Sequence, residues 1–356
     1  MQTIFSHRLG IDLPLIQSPM VGVSGVDLAV AVSAAGALGF LAGAGSSPDS
    51  MREQIGAIRM RTPKPFGVNL FILGAPEVDV AKVERARELL APFWQELGVA
   101  EELPAQWGQN FLEQFEVIVE TAPPVVSFTF GILDEQQVKR LHACGCCVIG
   151  TATTVAEGRA WAAVGADAVS AQAAEAGAHR GTFLGAFEDA LVGGFALYRQ
   201  MAAALTIPVI AAGGIMDGSG IAAALVLGAQ AAQLGTAFIG CPESIASAAW
   251  KNALQRARDD NTRVTRAFSG RAARGLVNRY MQTMHERVAE LPGYPVLNAL
   301  TTPLRRAAAQ AGQAEFLSLW AGQAAALSRP LPAGELVRLL RAETQAALRR
   351  TADLLG

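Results

Sequence analysis

Residues 208–220 read PVIAAGGIMDGSG, an apolar run that stops at a glycine pair and gives way to a helical pattern. The run has the length of a strand, and Gly213 and Gly214 fall at its end. Glycine there lets backbone N–H groups approach an anion closely, and a helix start just beyond adds its positive end. The next apolar run closes on QLGT, so Gly235 and Thr236 can donate two more amides and a hydroxyl. In a (β/α)₈ barrel the loops after strands seven and eight are the habitual phosphate cradle. A dinucleotide fold competes with this reading, because GSGIAA at 218–223 fits the loose glycine fingerprint. No acidic residue ends the following strand where a ribose would need one, however, and most strand units come before this segment rather than after it. A third reading is that the glycines only make tight turns.

Along the rest of the chain, short apolar runs alternate with helical patterns, the signature of parallel strands joined by crossover helices. The strand candidates are LPLIQSPM, LGFLAGA, FGVNLFI, VVSFTF, CCVIGTA, ADAVSAQ, PVIAAGG and AAQLGTAFI. They alternate poorly between apolar and polar residues, as expected where both faces of a sheet are covered. Polar residues gather at their C-terminal ends instead: Gln17, Ser18, Asn69, Thr129, Thr151, Gln172 and Thr236. Eight units with that distribution predict an α/β fold, a (β/α)₈ TIM barrel with its active site at those ends. Helices are expected over 27–35, 49–60, 134–143, 154–164, 187–205 and 220–227, with Ser47 and Asp134 as start signals. The long crossover 76–122 reads as a helical hairpin. Residues 241–303 read as a small helical insertion without strands, a cap over the barrel formed by 1–240 and 304–356.

The bulk numbers restrict function. The 29 basic and 31 acidic residues give a net charge of −2, and no basic stripe studded with aromatics appears, so a nucleic-acid partner is not expected. The first residues lack the pattern of a secretory signal, which points to the cytoplasm. The uncharged stretch 28–45 is long enough to raise a membrane span, but four glycines punctuate it, so none is expected. CGCC at 144–147 and the distant Cys241 lack the spacing of a zinc site and read as buried, reduced thiols, with no metal expected.

EAGAHRGTF at 175–183 places one of four histidines just after the sixth strand candidate. His179 there can shuttle a proton or hold an anion, and Gln172, closing that strand, can serve the edge of a flat cofactor, with Gly177 and Gly181 keeping bulk away. His7, His142 and His285 read as structural or solvated, and Arg180 as surface charge.

These motifs together give the chain a specific likeness. QSPM at 17–20, GVNLF at 67–71, GTATTVAEG at 150–158, QAAEAGAHRGTF at 172–183, PVIAAGGIMDG at 208–218, QLGTAFI at 233–239, SGRAARGLVN at 269–278 and LWAGQ at 319–323 resemble the nitronate monooxygenases of the bacterial class I type. The resemblance implies non-covalent FMN held by Met20, Asn69, Gln172, Gly177, Gly214 and the run Gln233, Leu234, Gly235 and Thr236. It implies His179 as the active-site histidine and oxidation of an alkyl nitronate by O2 to a carbonyl compound and nitrite. Two positions depart from the pattern, with Ala173 and Ala178 where glycines are usual, and in the cap Tyr294 of LPGYP is the one evident substrate contact, near Asn298 and Thr302. The rival expectations are an FMN-dependent enoyl-thioester or quinone reductase on the same barrel, and an inactive FMN-binding barrel. A monomer or homodimer is expected.

Overall fold

The computed structural model describes residues 2–353, so the last three residues of the expected closing segment 304–356 lie outside the described residues. All eight strand candidates form strands: β1 (Leu15–Gln17), β2 (Gly39–Leu41), β3 (Phe66–Phe71), β4 (Val125–Thr129), β5 (Cys147–Ala152), β6 (Ala168–Gln172), β7 (Val209–Ala212) and β8 (Ala231–Leu234). Neighbours in sequence pair in parallel from β2 through β8, and β8 pairs with β1, Leu15 lying opposite Ala232. The ring closes where Ile16 bridges Leu38 and the Gln17 N–H donates to the Leu38 carbonyl at 2.9 Å. The chain is therefore the α/β barrel that the sequence predicts.

Alternation is present in these strands but masked in the sequence. Side chains at every second position point inward, and the outward ones are also apolar because helices cover them. Along β4 the inward series runs Val125, Ser127, Thr129, along β6 Ala168, Ser170, Gln172, and along β8 Ala231, Gln233. The residues that open these strands pack with Ile16, Phe40, Ile149 and Ile210 into an apolar plug joined by Phe5 of the N-terminal helix Ile4–Arg8. The residues that close them are polar. One end of the barrel is sealed with hydrocarbon, and the other can hold a polar ligand.

Helices Val26–Ala34, Pro48–Arg61, Glu135–Ala143, Val155–Ala163 and Gly218–Val226 lie within a residue or two of their expected places. Ser47 accepts from the Ser50 N–H at 3.3 Å, and Asp134 and Gln137 form a reciprocal capping box. The 76–122 crossover contains helices Val80–Leu97 and Phe111–Thr121. The helix expected over 187–205 begins only at Gly194, because the Glu175 carboxylate accepts the Gly194 N–H at 2.9 Å and fixes the start there.

The segment 241–303 needs a correction. It carries helices Ala248–Leu254 and Arg279–Met284, but also strands Thr262–Thr265 and Ala273–Leu276, which pair antiparallel. The second of these pairs in turn with Ala178–His179, Ala273 facing His179. Its residues are thus the middle strand of a small sheet that fastens the segment to the loop after β6. No helix among the described residues is long and apolar enough to cross a membrane.

Candidate active site

A cavity of about 620 Å³ opens at the C-terminal ends of the barrel strands. Met20, Asn69, Gln172, Gly177, His179, Gly214, Gln233, Gly235, Thr236 and Tyr294 all line it. Leu234 does not: it follows inward-facing Gln233, so its side chain turns outward into the core and is 1% exposed. What Leu234 contributes near the site is its carbonyl, which accepts the Ser18 N–H at 2.8 Å.

The cavity floor is a polar lattice. Asn69 donates to the Ser127 hydroxyl at 2.9 Å, Thr129 and Thr151 share a hydrogen bond at 3.1 Å, and Gln233 donates to Ser18 at 3.1 Å and accepts from Ser170 at 3.3 Å. Gln172 is committed differently from the expectation that it serves a cofactor edge. Its amide donates to the His179 carbonyl at 2.9 Å and accepts the Gly181 N–H at 2.8 Å, so it clamps the loop carrying the histidine. Gly177 and Gly181 likewise make room for protein. A methyl at Gly177 would lie 2.6 Å from backbone atoms of Ala321 and Gly322, and one at Gly181 would lie 2.8 Å from Thr151.

At the end of β7 the backbone takes two left-handed turns in succession. Gly213 and Gly214 have φ of +119° and +70°. Their N–H groups and that of Gly235 meet no acceptor among the described residues. Three free donors in the lining of one cavity fit a phosphate group.

His179 stands in the cavity wall inside an aromatic cage, with ring centroids at 5.7 Å to Phe130, 5.5 Å to Tyr294 and 5.4 Å to Trp320. Its Nε2 lies 2.8 Å from the Ser269 hydroxyl. Burial, then the positive charges of Arg271 and Arg305, push the imidazole down to about 3, so it is neutral at ordinary pH. Arg271 stacks 4.0 Å over Phe130 and donates to the Arg180 carbonyl at 3.0 Å. Arg305 donates to the Asn298 carbonyl and the Thr302 hydroxyl, each at 2.9 Å, and its Nε is buried without a partner. No aspartate or glutamate occurs among the described residues lining the cavity. Arg305 and Arg306 line the cavity and no carboxylate does, so the charge in its lining is positive.

Several sequence readings change here. Arg180 is not surface charge: it is 1% exposed and donates to the carbonyls of Gln172 and Ala173, tying the loop to β6. Ala178, where a glycine is usual, has φ of +62°, so its methyl is carried in the left-handed region. Ala173 is fully buried and fits without such strain. Tyr294 is joined in the cage by Trp320 of LWAGQ and by Phe130. Ser269, Arg271 and Trp320 lie within the quoted motifs but were given no role, and Arg305 sits in an amphipathic helix that gives no sign of a site. Cys146 and Cys147 are buried, and burial pushes their thiols up to about 11 and about 12.

The chain is similar to known proteins over nearly its whole length. The family model described as nitronate monooxygenase matches residues 2–343. A nitronate monooxygenase of Pseudomonas aeruginosa is 46% identical over 343 residues, covering 94% of this chain and 97% of the relative. A probable nitronate monooxygenase of Staphylococcus aureus is 37% identical over 334 residues, covering 93% of this chain and 94% of its own. Among solved structures, nitroalkane oxidase from Streptomyces ansochromogenes superposes with a TM-score of 0.89 at 44% identity, over 96% of this chain and 98% of that one. FabK from Thermotoga maritima superposes with a TM-score of 0.80 at 28% identity, over 99% of each. The family match over nearly the whole chain, with two curated relatives above 30% identity, places this chain in the nitronate monooxygenase family.

Proposed function

We propose that the protein is an FMN-dependent nitronate monooxygenase that oxidises small alkyl nitronates with O2 to a carbonyl compound and nitrite. The observation that carries this reading is a barrel-mouth cavity that lacks carboxylates, has His179 in its wall and ends in three free backbone amides. The amides of Gly213, Gly214 and Gly235 would take the FMN phosphate, and Met20, Asn69 and Gln233 would border its ring system. FMN bound there would supply the electron acceptor between nitronate and O2.

The chain's own residues do the rest. The charges of Arg271 and Arg305 favour entry of an anion, and their effect is large because the site is sheltered from water. Phe130, Tyr294 and Trp320 form the apolar wall that keeps water out. His179 meets the substrate as a neutral hydrogen-bonding group, because an imidazolium is disfavoured between those arginines. Residues 241–303 act as the substrate cap, contributing Trp250, Tyr294 and Asn298 to the cavity. The protein works in the cytoplasm on a small-molecule substrate, as a monomer or homodimer.

The likeness to FabK at 28% identity keeps a flavin reductase as the second reading. Anaerobic mixing of the purified flavoprotein with propionate 3-nitronate and, separately, with NADH distinguishes the two. Loss of flavin absorbance with the nitronate alone is expected. Rapid reduction by NADH alone would identify a reductase, and no response to either would identify a binding protein.

A further inference from the structure

We infer that Ser269 is a positioning residue that holds His179 in the tautomer protonated at Nε2, so that the imidazole presents the Nδ1 lone pair to the cavity. The inference rests on the reading that His179 faces the substrate, and it adds which face of the ring's chemistry the substrate meets.

The protons available around Ser269 fix the tautomer. The Ser269 Oγ has three neighbours: His179 Nε2 at 2.8 Å, the Arg271 carbonyl at 3.1 Å and the Arg271 N–H at 3.4 Å. The carbonyl can only accept and the backbone N–H can only donate, while the hydroxyl has one proton and two lone pairs. All three contacts are satisfied at once in a single arrangement. Ser269 donates to the carbonyl and accepts from both the backbone N–H and Nε2–H. If Ser269 donated to Nε2 instead, the Arg271 carbonyl would lose its only donor among the described residues. Ser269 is 1% exposed, so water offers no ready replacement.

The partner is also held still. Ser269 precedes Gly270, which has φ of +81° and whose added Cβ would lie 2.5 Å from the backbone of Gly293. The strand that follows, Ala273–Leu276, pairs with Ala178–His179, so serine and histidine are fixed by the same small sheet. Nδ1 has no protein partner, and it is not among the buried polar atoms left without one, so it opens to the cavity. A histidine's free nitrogen takes its role from the bond the other nitrogen makes. His179 therefore offers the substrate an acceptor. The anionic nitro oxygens must find their donors elsewhere, and the arginine side of the cavity is where positive charge stands.

The test is long-range 1H–15N correlation spectroscopy on the flavin-loaded protein labelled at histidine nitrogen, with His179→Asn identifying the signal among the four histidines. The wild type is expected to show the proton on Nε2. Ser269→Ala is expected to shift the ring toward a tautomer mixture and to lower kcat for propionate 3-nitronate by about tenfold or more, with flavin content retained. Ser269→Thr, which keeps the hydroxyl, is expected to restore both. A wild-type ring protonated at Nδ1 overturns the inference whether or not the variants fold, and so does an unchanged tautomer in Ser269→Ala. The spectrum needs no turnover, so it reports on the tautomer even if the proposed activity is absent.

Discussion

His179 and its neighbours concentrate the chemistry of the site, and their properties come from enclosure. Replacing His179 by alanine removes the imidazole held inside the aromatic cage, and nitronate turnover is expected to fall by a factor on the order of 100 or more, with flavin still bound. Steady-state assays and the flavin-to-protein ratio measure both; unchanged turnover would remove His179 from the mechanism. The depressed imidazole also has a stability consequence. Its value is about 3 in the fold against an ordinary 6.5, so between those values the unfolded chain binds the additional proton. Stability is full above pH 6.5 and falls as the pH drops toward 3, and thermal melts of wild type and His179→Asn should converge in part over that window. A difference between them that does not depend on pH would contradict the burial argument. His179 was legible in the sequence because it follows a strand at the polar rim. Its partner was not, since Ser269 lies 90 positions away and the contact exists only after a hairpin folds back.

The barrel strands and the crossovers could be read because their signals are local. An apolar run of strand length followed by glycine or a polar cluster is visible in ten residues, and Asp134 with Gln137 marks a helix start by itself. The strands Thr262–Thr265 and Ala273–Leu276 escaped because TRVT and ARGL are short and half polar, and their pairing is with each other and a two-residue partner. The turn at the end of β7 was legible as a glycine pair, and the proposed phosphate site there can be tested through its demand on the backbone. Gly213 has φ of +119°, and a Cβ there would lie 2.9 Å from the Ala176 nitrogen. Gly213→Ala is therefore expected to cost about 1–3 kcal/mol of stability and to weaken FMN binding at least about tenfold, the apolar plug around Phe5 remaining folded. Fluorescence titration of flavin-free protein measures the affinity. Unaltered affinity would remove the cradle from cofactor binding.

Over the whole molecule, hydrocarbon closes one end of the barrel, and residues of the 241–303 segment line the cavity at the other. The sequence gives the first feature through its strand runs and the polar distribution at their ends. The positive character of the cavity is different in kind. Net charge is −2 for the whole chain, and the local excess arises because folding brings Arg305 and Arg306 into the lining and Arg271 against Phe130 behind it, while leaving every aspartate and glutamate of the described residues outside the lining. No linear pattern announces such a separation. By the function proposed above, this enclosed, carboxylate-free site oxidises nitronates with O2 through a bound flavin. The most direct measurement follows O2 uptake and nitrite release by the flavin-loaded protein given propionate 3-nitronate, beside NADH oxidation in the same buffer. Nitrite appearing in step with O2 uptake, with NADH left unconsumed, is the predicted result; steady NADH consumption with nitrite at background would contradict it.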